Sequence, residues 1–128
     1  MVTEITQGVK VSVETEYQAA YSSPGQSHFV FTYKITIENA GDFTIQLKRR
    51  RWLIFDAGFL QQEVEGEGVV GQQPILEPGQ VHQYVSGCNI KSGIGKMVGS
   101  YSMERMVDGT KMSVAIPPFV LMAPLRMN

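Results

Sequence analysis

The stretch 29-FVFTYKITI-37 decides the fold class of this chain. Aromatic or aliphatic residues occupy every second position from Phe29 to Ile37, and most positions between them are polar, as at Thr32 and Lys34. Alternate side chains of an extended chain point to opposite faces, so this pattern predicts a β-strand with one face in a hydrophobic core.

Similar alternation flanks this strand on both sides. Val9 to Val13 alternates with polar residues upstream, and after the turn signal Asn39-Ala40-Gly41 a second alternation begins at Phe43 and runs into Trp52, which we assign to the core. Residues 119–125 are also assigned to the core, with an exposed strip for a partner or a second copy as the alternative. Further strands are predicted over 61–65, 81–90, 96–106, 112–116 and 119–121.

Turn and break signals separate these strands. The tetrapeptide Glu77-Pro78-Gly79-Gln80 has Pro and Gly where a type II turn needs them, and Asp108-Gly109 between two alternating segments predicts a hairpin. Pro117-Pro118 cannot donate ladder hydrogen bonds, so we place it at an edge, a bulge or a crossover. A bend or bulge is also expected among the basic residues 48–51.

The strand count sets the architecture. Seven or more short strands are predicted, and no long stretch shows the 3.6-residue period of a helix. This favours an all-β fold in which two antiparallel sheets pack face to face. An open barrel is the alternative, because periodicity does not show whether a sheet closes. The length fits a single domain over residues 1–128 with one core.

Composition excludes several classes of function. Eleven Lys and Arg against twelve Asp and Glu give a net charge of −1, which provides no general attraction to nucleic acid or an anionic membrane. The longest apolar segment, 114–125, contains three prolines and is shorter than the roughly 20 residues of a membrane-spanning helix. Cys88 is the only cysteine and the first residues lack signal-peptide features, so we expect a cytoplasmic protein without a disulfide.

The glycine-rich stretch 66-GEGVVG-71 matches the G-x-G-x-x-G pattern that holds pyrophosphate in dinucleotide-binding folds. In those folds a helix follows the third glycine, but here Pro74 and Pro78 would interrupt it. We therefore interpret Gly66, Gly68 and Gly71 first as turn or bulge residues. The alternative is an anion nest, in which successive backbone amides bind phosphate without a helix.

A basic cluster covers residues 48–51. In a regular strand, Arg49 and Arg51 face one side while Lys48 and Arg50 face the other. We expect a solvated face with ion pairs, and the alternative is that Arg50 and Arg51 act as counter-charges for a phosphate at the glycine segment. The expected acidic partners share one face of the next strand, where a weak site for a hard cation is the alternative: Glu63, Glu65 and Glu67.

No catalytic set is recognised in the sequence. His28 and His82 are accompanied by no nucleophile elbow, paired acids or metal-binding motif, so acid–base catalysis by either is a remote alternative. Cys88 is expected to be a small buried side chain. A metal site made of His28, His82 and Cys88 would need the fold to bring distant segments together. We predict no enzyme, no cofactor and no bound metal.

Several motifs closely resemble the bacterial ApaG family. The resemblance extends from about Val9 to Ala123, and departs from the family at Arg51, where an aromatic residue or histidine is more usual, and at Asn89, where proline is frequent. The motifs are Arg50-x-Trp52-Leu53-Ile54, 63-EVEGEGVVGQQPILEPGQ-80, Tyr84-x-Ser86-Gly87-Cys88, Gly99-x-Tyr101-x-Met103 and Ile116-Pro117-x-Phe119.

The resemblance implies a fibronectin type III-like, immunoglobulin-like β-sandwich without an established enzyme activity. It also implies a link to cobalt sensitivity and magnesium efflux, and a pyrophosphate or nucleotide site at Gly66, Gly68 and Gly71. Related domains in eukaryotic F-box proteins and in a polymerase-delta-interacting protein imply protein binding. We therefore expect a non-enzymatic binding domain, monomeric or homodimeric, with a protein partner. A phosphate-bearing small molecule or a divalent cation at the glycine segment is the alternative.

Overall fold

The structure is a computed structural model that describes residues 1–124. These residues form strands joined by turns, with two single-turn 3₁₀ segments, Ala19–Tyr21 and Pro24–Gln26, and no α-helix. No helix in this part of the chain is long and apolar enough to cross a membrane. The strands are β1 (Val2–Thr6), β2 (Val9–Tyr17), β3 (Phe29–Asn39), β4 (Ile45–Asp56), β5 (Phe59–Glu67), β6 (Ile75–Leu76), β7 (Val81–Ile90), β8 (Ile94–Arg105) and β9 (Lys111–Met122).

The strands make two antiparallel sheets. One sheet has four strands in the order β1-β2-β3-β7, and the other has five, in the order β5-β4-β8-β9 with β6 beside β4. The buried side chains of both sheets form a single hydrophobic cluster. The predicted all-β sandwich is therefore confirmed, and the open-barrel alternative is wrong.

The stretch that begins at Phe29 is an interior strand of the four-stranded sheet. β3 pairs with β2 on one side and with β7 on the other. Phe31 and Ile35 are almost completely buried and Lys34 between them is exposed, as the alternation predicted. β1 was missed by sequence reasoning, because it is a largely exposed edge strand with no apolar alternation. Its turn into β2 uses left-handed φ angles at Gln7 (+48°) and Gly8 (+80°).

An aromatic cluster joins the two sheets in the core. The ring of Trp52 lies 5.5 Å from that of Tyr33 and 5.8 Å from that of Phe119, in edge-to-face contacts. The assignment of Trp52 to the core is therefore confirmed. Along β9, Phe119 and Leu121 are buried and Val120 is exposed, so this segment is a strand with one core face. The remainder of the predicted 119–125 segment, residue 125, lies outside the described residues.

The predicted turns and breaks are confirmed. Gly79 has a φ of +87°, and the amide of Gln80 donates to the carbonyl of Glu77 at 2.9 Å. Pro117-Pro118 lies in β9, which is a sheet edge, at a shift in the register with β8. A second register shift, in the pairing of β4 with β8, leaves Lys48 as the extra residue between two paired positions.

Three segments differ from the prediction. The two strands predicted over 112–116 and 119–121 are one strand, β9, which continues through the two prolines. β4 begins at Ile45, so Phe43 belongs to the preceding connection, where it is half exposed and the Arg105 guanidinium lies 4.4 Å from its ring centre. The short polar strand predicted over 61–65 is longer, because its hairpin with β4 continues to the turn at Ala57-Gly58. Downstream of Gly71 the chain enters β6 and not a helix, as the prolines predicted.

The sandwich is closed along one side and open along the other. On the closed side β1 and β9 are adjacent, and the amide of Ala115 donates to the Thr6 hydroxyl at 3.3 Å. On the open side β5 and β7 are the edges of their sheets. The space between these two edges is a cleft lined by residues of both strands.

Candidate functional site

The glycine segment folds as a tight hairpin after the end of β5, here called the glycine hairpin (residues 68–73). The amide of Gly68 donates to the Lys48 carbonyl at 2.9 Å, and Val69 and Gln72 exchange two backbone hydrogen bonds of 2.8 and 3.0 Å. Positive φ angles at Val70 (+47°) and Gly71 (+76°) make the tip a type I′ turn. Most of the amides that a phosphate nest would need are therefore used within the protein.

At each glycine of the G-x-G-x-x-G pattern, a local steric or conformational requirement within the protein explains why glycine is present. A Cβ at Gly66 would lie 2.9 Å from Nη1 of Arg50, and a Cβ at Gly68 would overlap the carbonyl oxygen of Gln72. Gly71 has open space around it but adopts a left-handed φ. Gly68 and Gly71 are therefore turn residues, as predicted, but Gly66 lies within β5 and is neither a turn nor a bulge residue. The role of the three glycines toward a ligand stays a prediction.

Arg50 and Arg51 face opposite sides of β4. Arg51 lies on the outer face of the five-stranded sheet, where its guanidinium is 3.4 Å from the Glu65 carboxylate and 4.0 Å from that of Glu63. Arg50 lies on the inner side, and its Nη1 donates to the carbonyl oxygens of Glu67 (3.1 Å) and Gly68 (3.0 Å). The structure therefore brings Gly66, Gly68 and Arg50 together and leaves Arg51 apart from them.

The predicted ion pairing is confirmed for Arg51. The predicted alternation of the basic side chains between the two faces of β4 is wrong at Lys48. Because Lys48 is the extra residue of the bulge, it borders the same surface depression as Arg49 and does not line the cleft that Arg50 lines. The acids of β5 do share an exposed face, but Glu63 and Glu65 lie beside the Arg51 cation. No group of three metal-ligating side chains occurs within residues 1–124.

His82 lies far from both Cys88 and His28 in the four-stranded sheet. His82 lies opposite Ile37, and Cys88 lies opposite Phe31. Six residues along an extended strand put His82 about 20 Å from Cys88. His28 precedes Phe29, at the Cys88 end of the β3–β7 pair, so the three residues do not form a metal site. Cys88 is half-buried and not buried as predicted. Burial and the nearby Asp56 carboxylate raise the pKa of its thiol to about 11, so the thiol stays protonated at neutral pH.

The inter-sheet cleft is a cavity of about 440 Å³ on the open side of the sandwich. Its walls come from β3, β4, β5, β7 and the glycine hairpin, so it lies between the two edge strands. The volume falls within the range of about 300–1,000 Å³ typical of small-molecule sites. The lining residues are Tyr33, Arg50, Trp52, Ile54, Gln62, Val64, Val69, Val70, Tyr84, Ser86, Gly87, Cys88, Asn89 and Met97.

Two phenol groups form a hydrogen-bonded pair that connects the wall of the inter-sheet cleft with the core. The Tyr84 hydroxyl bonds to that of Tyr101, which is fully buried. Burial raises the pKa of Tyr84 well above its usual value and raises that of Tyr33, while Ser86 and the Arg50 cation act in the opposite direction on Tyr33. These phenols are therefore neutral hydrogen-bonding groups over the physiological range.

Sequence reasoning missed this cleft. Tyr33 was interpreted only as a core position of β3, and Tyr84 and Ser86 entered only through their resemblance to a family motif. The available signal was the tyrosine at core-facing positions on two paired strands, because a buried hydroxyl needs a polar partner. That signal indicates a polar pocket but does not place Arg50 in it.

A second depression, the outer groove, lies on the opposite surface of the five-stranded sheet. It has a volume of about 660 Å³ and is lined by Phe55, Ala57, Gly58, Ile94, Gly95, Lys96, Val98 and Val120. Val120 is 54% exposed, and the adjoining tip of the β4–β5 hairpin exposes Phe59 (78%) and Leu60 (52%). This is an exposed apolar surface of the kind that marks interaction sites.

Comparisons with known proteins identify the family. Residues 19–105 match the family model described as DUF525, ApaG domain. The chain is 45% identical over 124 residues to Protein ApaG of Paramagnetospirillum magneticum, covering 97% of this chain and 95% of that one. It is 43% identical to Protein ApaG of Anaeromyxobacter dehalogenans over the full length of both. The crystal structure of a Bordetella pertussis protein described as ApaA superposes with a TM-score of 0.87 at 40% identity, covering 91% of this chain and 94% of that one. The chain therefore belongs to the ApaG family.

Proposed function

We propose that this protein is a non-enzymatic binding domain that engages a protein partner through the outer groove. The observation that carries the proposal is the apolar surface made by the outer groove and the exposed Leu60, which pairs with Phe55 of the groove lining. A folded protein that keeps large apolar side chains in water loses the free energy their burial would supply, about 25 cal/mol per Å². Such a surface is stabilised when a partner covers it.

The charge of the outer groove indicates what the partner presents. Among residues 1–124, Lys96 is the only charged residue that lines it. It pairs across the sheet with Phe55 on one side and Val120 on the other, so an ammonium group is set among apolar side chains. The partner is a protein segment with apolar side chains for the groove and one acidic side chain for Lys96.

The chemistry of the other side chains supports a binding role over an enzymatic one. Cys88 carries a protonated thiol, which is a weak nucleophile. His28 and His82 lie near opposite ends of the β3–β7 pair and share no partner acid among the ion pairs of residues 1–124. We also propose a cytoplasmic location, which the single unpaired thiol supports.

The experiment is capture of partners from cell extract by the full chain and two point variants. Val120→Ser removes apolar surface from the outer groove. Val85→Ser is its matched control, since Val85 is 57% exposed on an edge strand of the other sheet. We expect a specific partner that is retained by Val85→Ser and lost with Val120→Ser and Lys96→Glu. Equal capture by all variants contradicts the proposal, and so does self-association through the groove measured by sedimentation.

A second candidate function is a phosphate, nucleotide or divalent-cation site at the glycine hairpin, connected with cobalt resistance and magnesium efflux. One contact favours it: Arg50 is held against the hairpin by Glu67 and Gly68. The hairpin tip, with its consecutive left-handed residues Val70 and Gly71, is where an anion would bind. Calorimetric titration with pyrophosphate, nucleotides, Mg²⁺ and Co²⁺ tests it, and absence of heat at millimolar concentration contradicts it.

A further inference from the structure

Arg50 brings a positive charge to the inter-sheet cleft without an acidic partner. No carboxylate lies within 4.0 Å of its guanidinium among residues 1–124, in contrast to Arg51 on the other face of β4. The described part of the chain contributes no Asp or Glu to the lining of the cleft, and Arg50 is the only charged side chain that it contributes. A partly enclosed cation in such surroundings attracts an anion more strongly than one in water.

The position of Arg50 is fixed by contacts that occupy only part of the guanidinium. Both hydrogen bonds to the glycine hairpin, to Glu67 and Gly68, come from Nη1. The guanidinium can occupy this position only because residue 66 is glycine: a Cβ at Gly66 would lie about 3 Å from the guanidinium atoms of Arg50. Nη2 and Nε keep N–H donors in the fork geometry that matches a carboxylate or phosphate.

Neutral donors and an apolar wall complete the inter-sheet cleft. The hydroxyls of Tyr33 and Ser86 and the amide of Asn89 belong to its lining, together with the rings of Trp52 and Tyr84. Arg50 lines the same cleft as Tyr33 and Tyr84, and its charge acts to lower the pKa of both phenols. One cationic fork, several hydrogen-bond donors and a ring-lined wall suit an organic anion with an apolar body.

We propose that the inter-sheet cleft binds a small organic oxyanion, with its carboxylate or phosphate at Arg50 and its apolar body against Trp52. This site is on the opposite side of the five-stranded sheet from the outer groove, so it does not depend on the protein-binding proposal. It also differs from the proposed phosphate site at the glycine hairpin. Both sites include Arg50, but here the other ligand contacts come from side chains of the cleft and not from the backbone amides of the hairpin tip.

Trp52 is the only tryptophan of the chain, so its fluorescence reports on the cleft directly. The probes are benzoate and phenyl phosphate, which separate the two oxyanion types, and benzamide as the neutral counterpart of benzoate. We expect saturable changes in Trp52 emission with at least one anion, together with amide shifts at Ser86 and Asn89 in two-dimensional NMR. Benzamide should bind at least about tenfold more weakly, because it lacks the charge.

Variants assign the binding to the cleft. Arg50→Gln and, on the facing wall, Ser86→Ala should weaken anion binding, the first by about tenfold or more. Gly71→Ala, at the hairpin tip outside the cleft lining, should leave it unchanged. The proposal is overturned by unchanged fluorescence up to about 10 mM of both anions, by equal binding of benzamide, or by loss in Gly71→Ala with retention in Ser86→Ala. The comparison of whichever anion binds with neutral benzamide needs only the wild-type chain, so it tests the need for a charge even if Arg50→Gln fails to fold.

Discussion

Alanine substitution at two glycines of the same hairpin should have very different costs. In Gly68→Ala the new Cβ overlaps the Gln72 carbonyl, and the residue must hold a φ of +64°. The left-handed conformation costs about 1–2 kcal/mol for a non-glycine residue. Relieving the overlap disrupts the bond from Gly68 to Lys48 and the paired bonds of Val69, at about 1 kcal/mol each. We therefore expect a loss of about 4–5 kcal/mol of unfolding free energy.

Gly71→Ala is the matched control, because its Cβ would meet no atom within 4 Å although its φ is +76°. It should cost only about 1 kcal/mol, since the alanine also restricts the unfolded chain. Urea unfolding followed by circular dichroism measures both variants against wild type. If Gly68→Ala stays within about 0.5 kcal/mol of wild type, or proves no worse than Gly71→Ala, the argument that contacts within the protein require Gly68 is refuted.

Three further substitutions test other parts of the structure. Asn39→Leu leaves the buried Leu76 carbonyl and the partly buried Phe43 carbonyl without their amide donor and should cost about 2–3 kcal/mol in urea unfolding. A neutral effect would contradict this. Burial acts to raise the pKa of Asp56, but hydrogen bonds from Ser92 and neighbouring amides lower it overall. The Asp56 carboxylate should therefore stabilise the folded protein fully above its unfolded pKa of about 3.9, and this stabilisation should be lost as the pH falls through the lower folded pKa. Asp56→Asn should flatten this acid-side loss in urea unfolding at a series of pH values, and an unchanged profile would count against it. Tyr101→Phe leaves the Tyr84 hydroxyl without its partner and should cost about 1–2 kcal/mol by thermal unfolding, whereas increased stability would oppose the assignment.

Sequence reasoning predicted the parts of the fold that depend on local patterns. The alternation from Phe29 to Ile37 gave a strand and its buried face, and Pro78-Gly79 gave a turn, because both signals act within a few residues. Pro74 correctly predicted that no helix follows the glycine segment. β1 was not predicted, because an exposed edge strand needs no apolar face. Phe43 was wrongly predicted to begin a strand, because its ring lies against Arg105 outside any strand.

The candidate sites were harder to predict, because they depend on contacts between distant strands. Gly66 is explained by Arg50, which reaches it only because β4 and β5 pair in the observed register. The bulge at Lys48 then decides which basic side chains lie inside and which outside the sandwich. A bulge was expected among the basic residues, but its position within 48–51 follows from pairing with β8, which no local pattern encodes.

The central claim is that the glycine segment is part of the protein's architecture, a rigid hairpin that holds Arg50 in place. Native-state hydrogen exchange of the Gly68, Val69 and Gln72 amides without any ligand tests this most directly, because each donates to a backbone carbonyl. The account predicts protection comparable to that of the β4–β5 pairing amides. Fast exchange of these three amides that becomes slow only when pyrophosphate is added would contradict it.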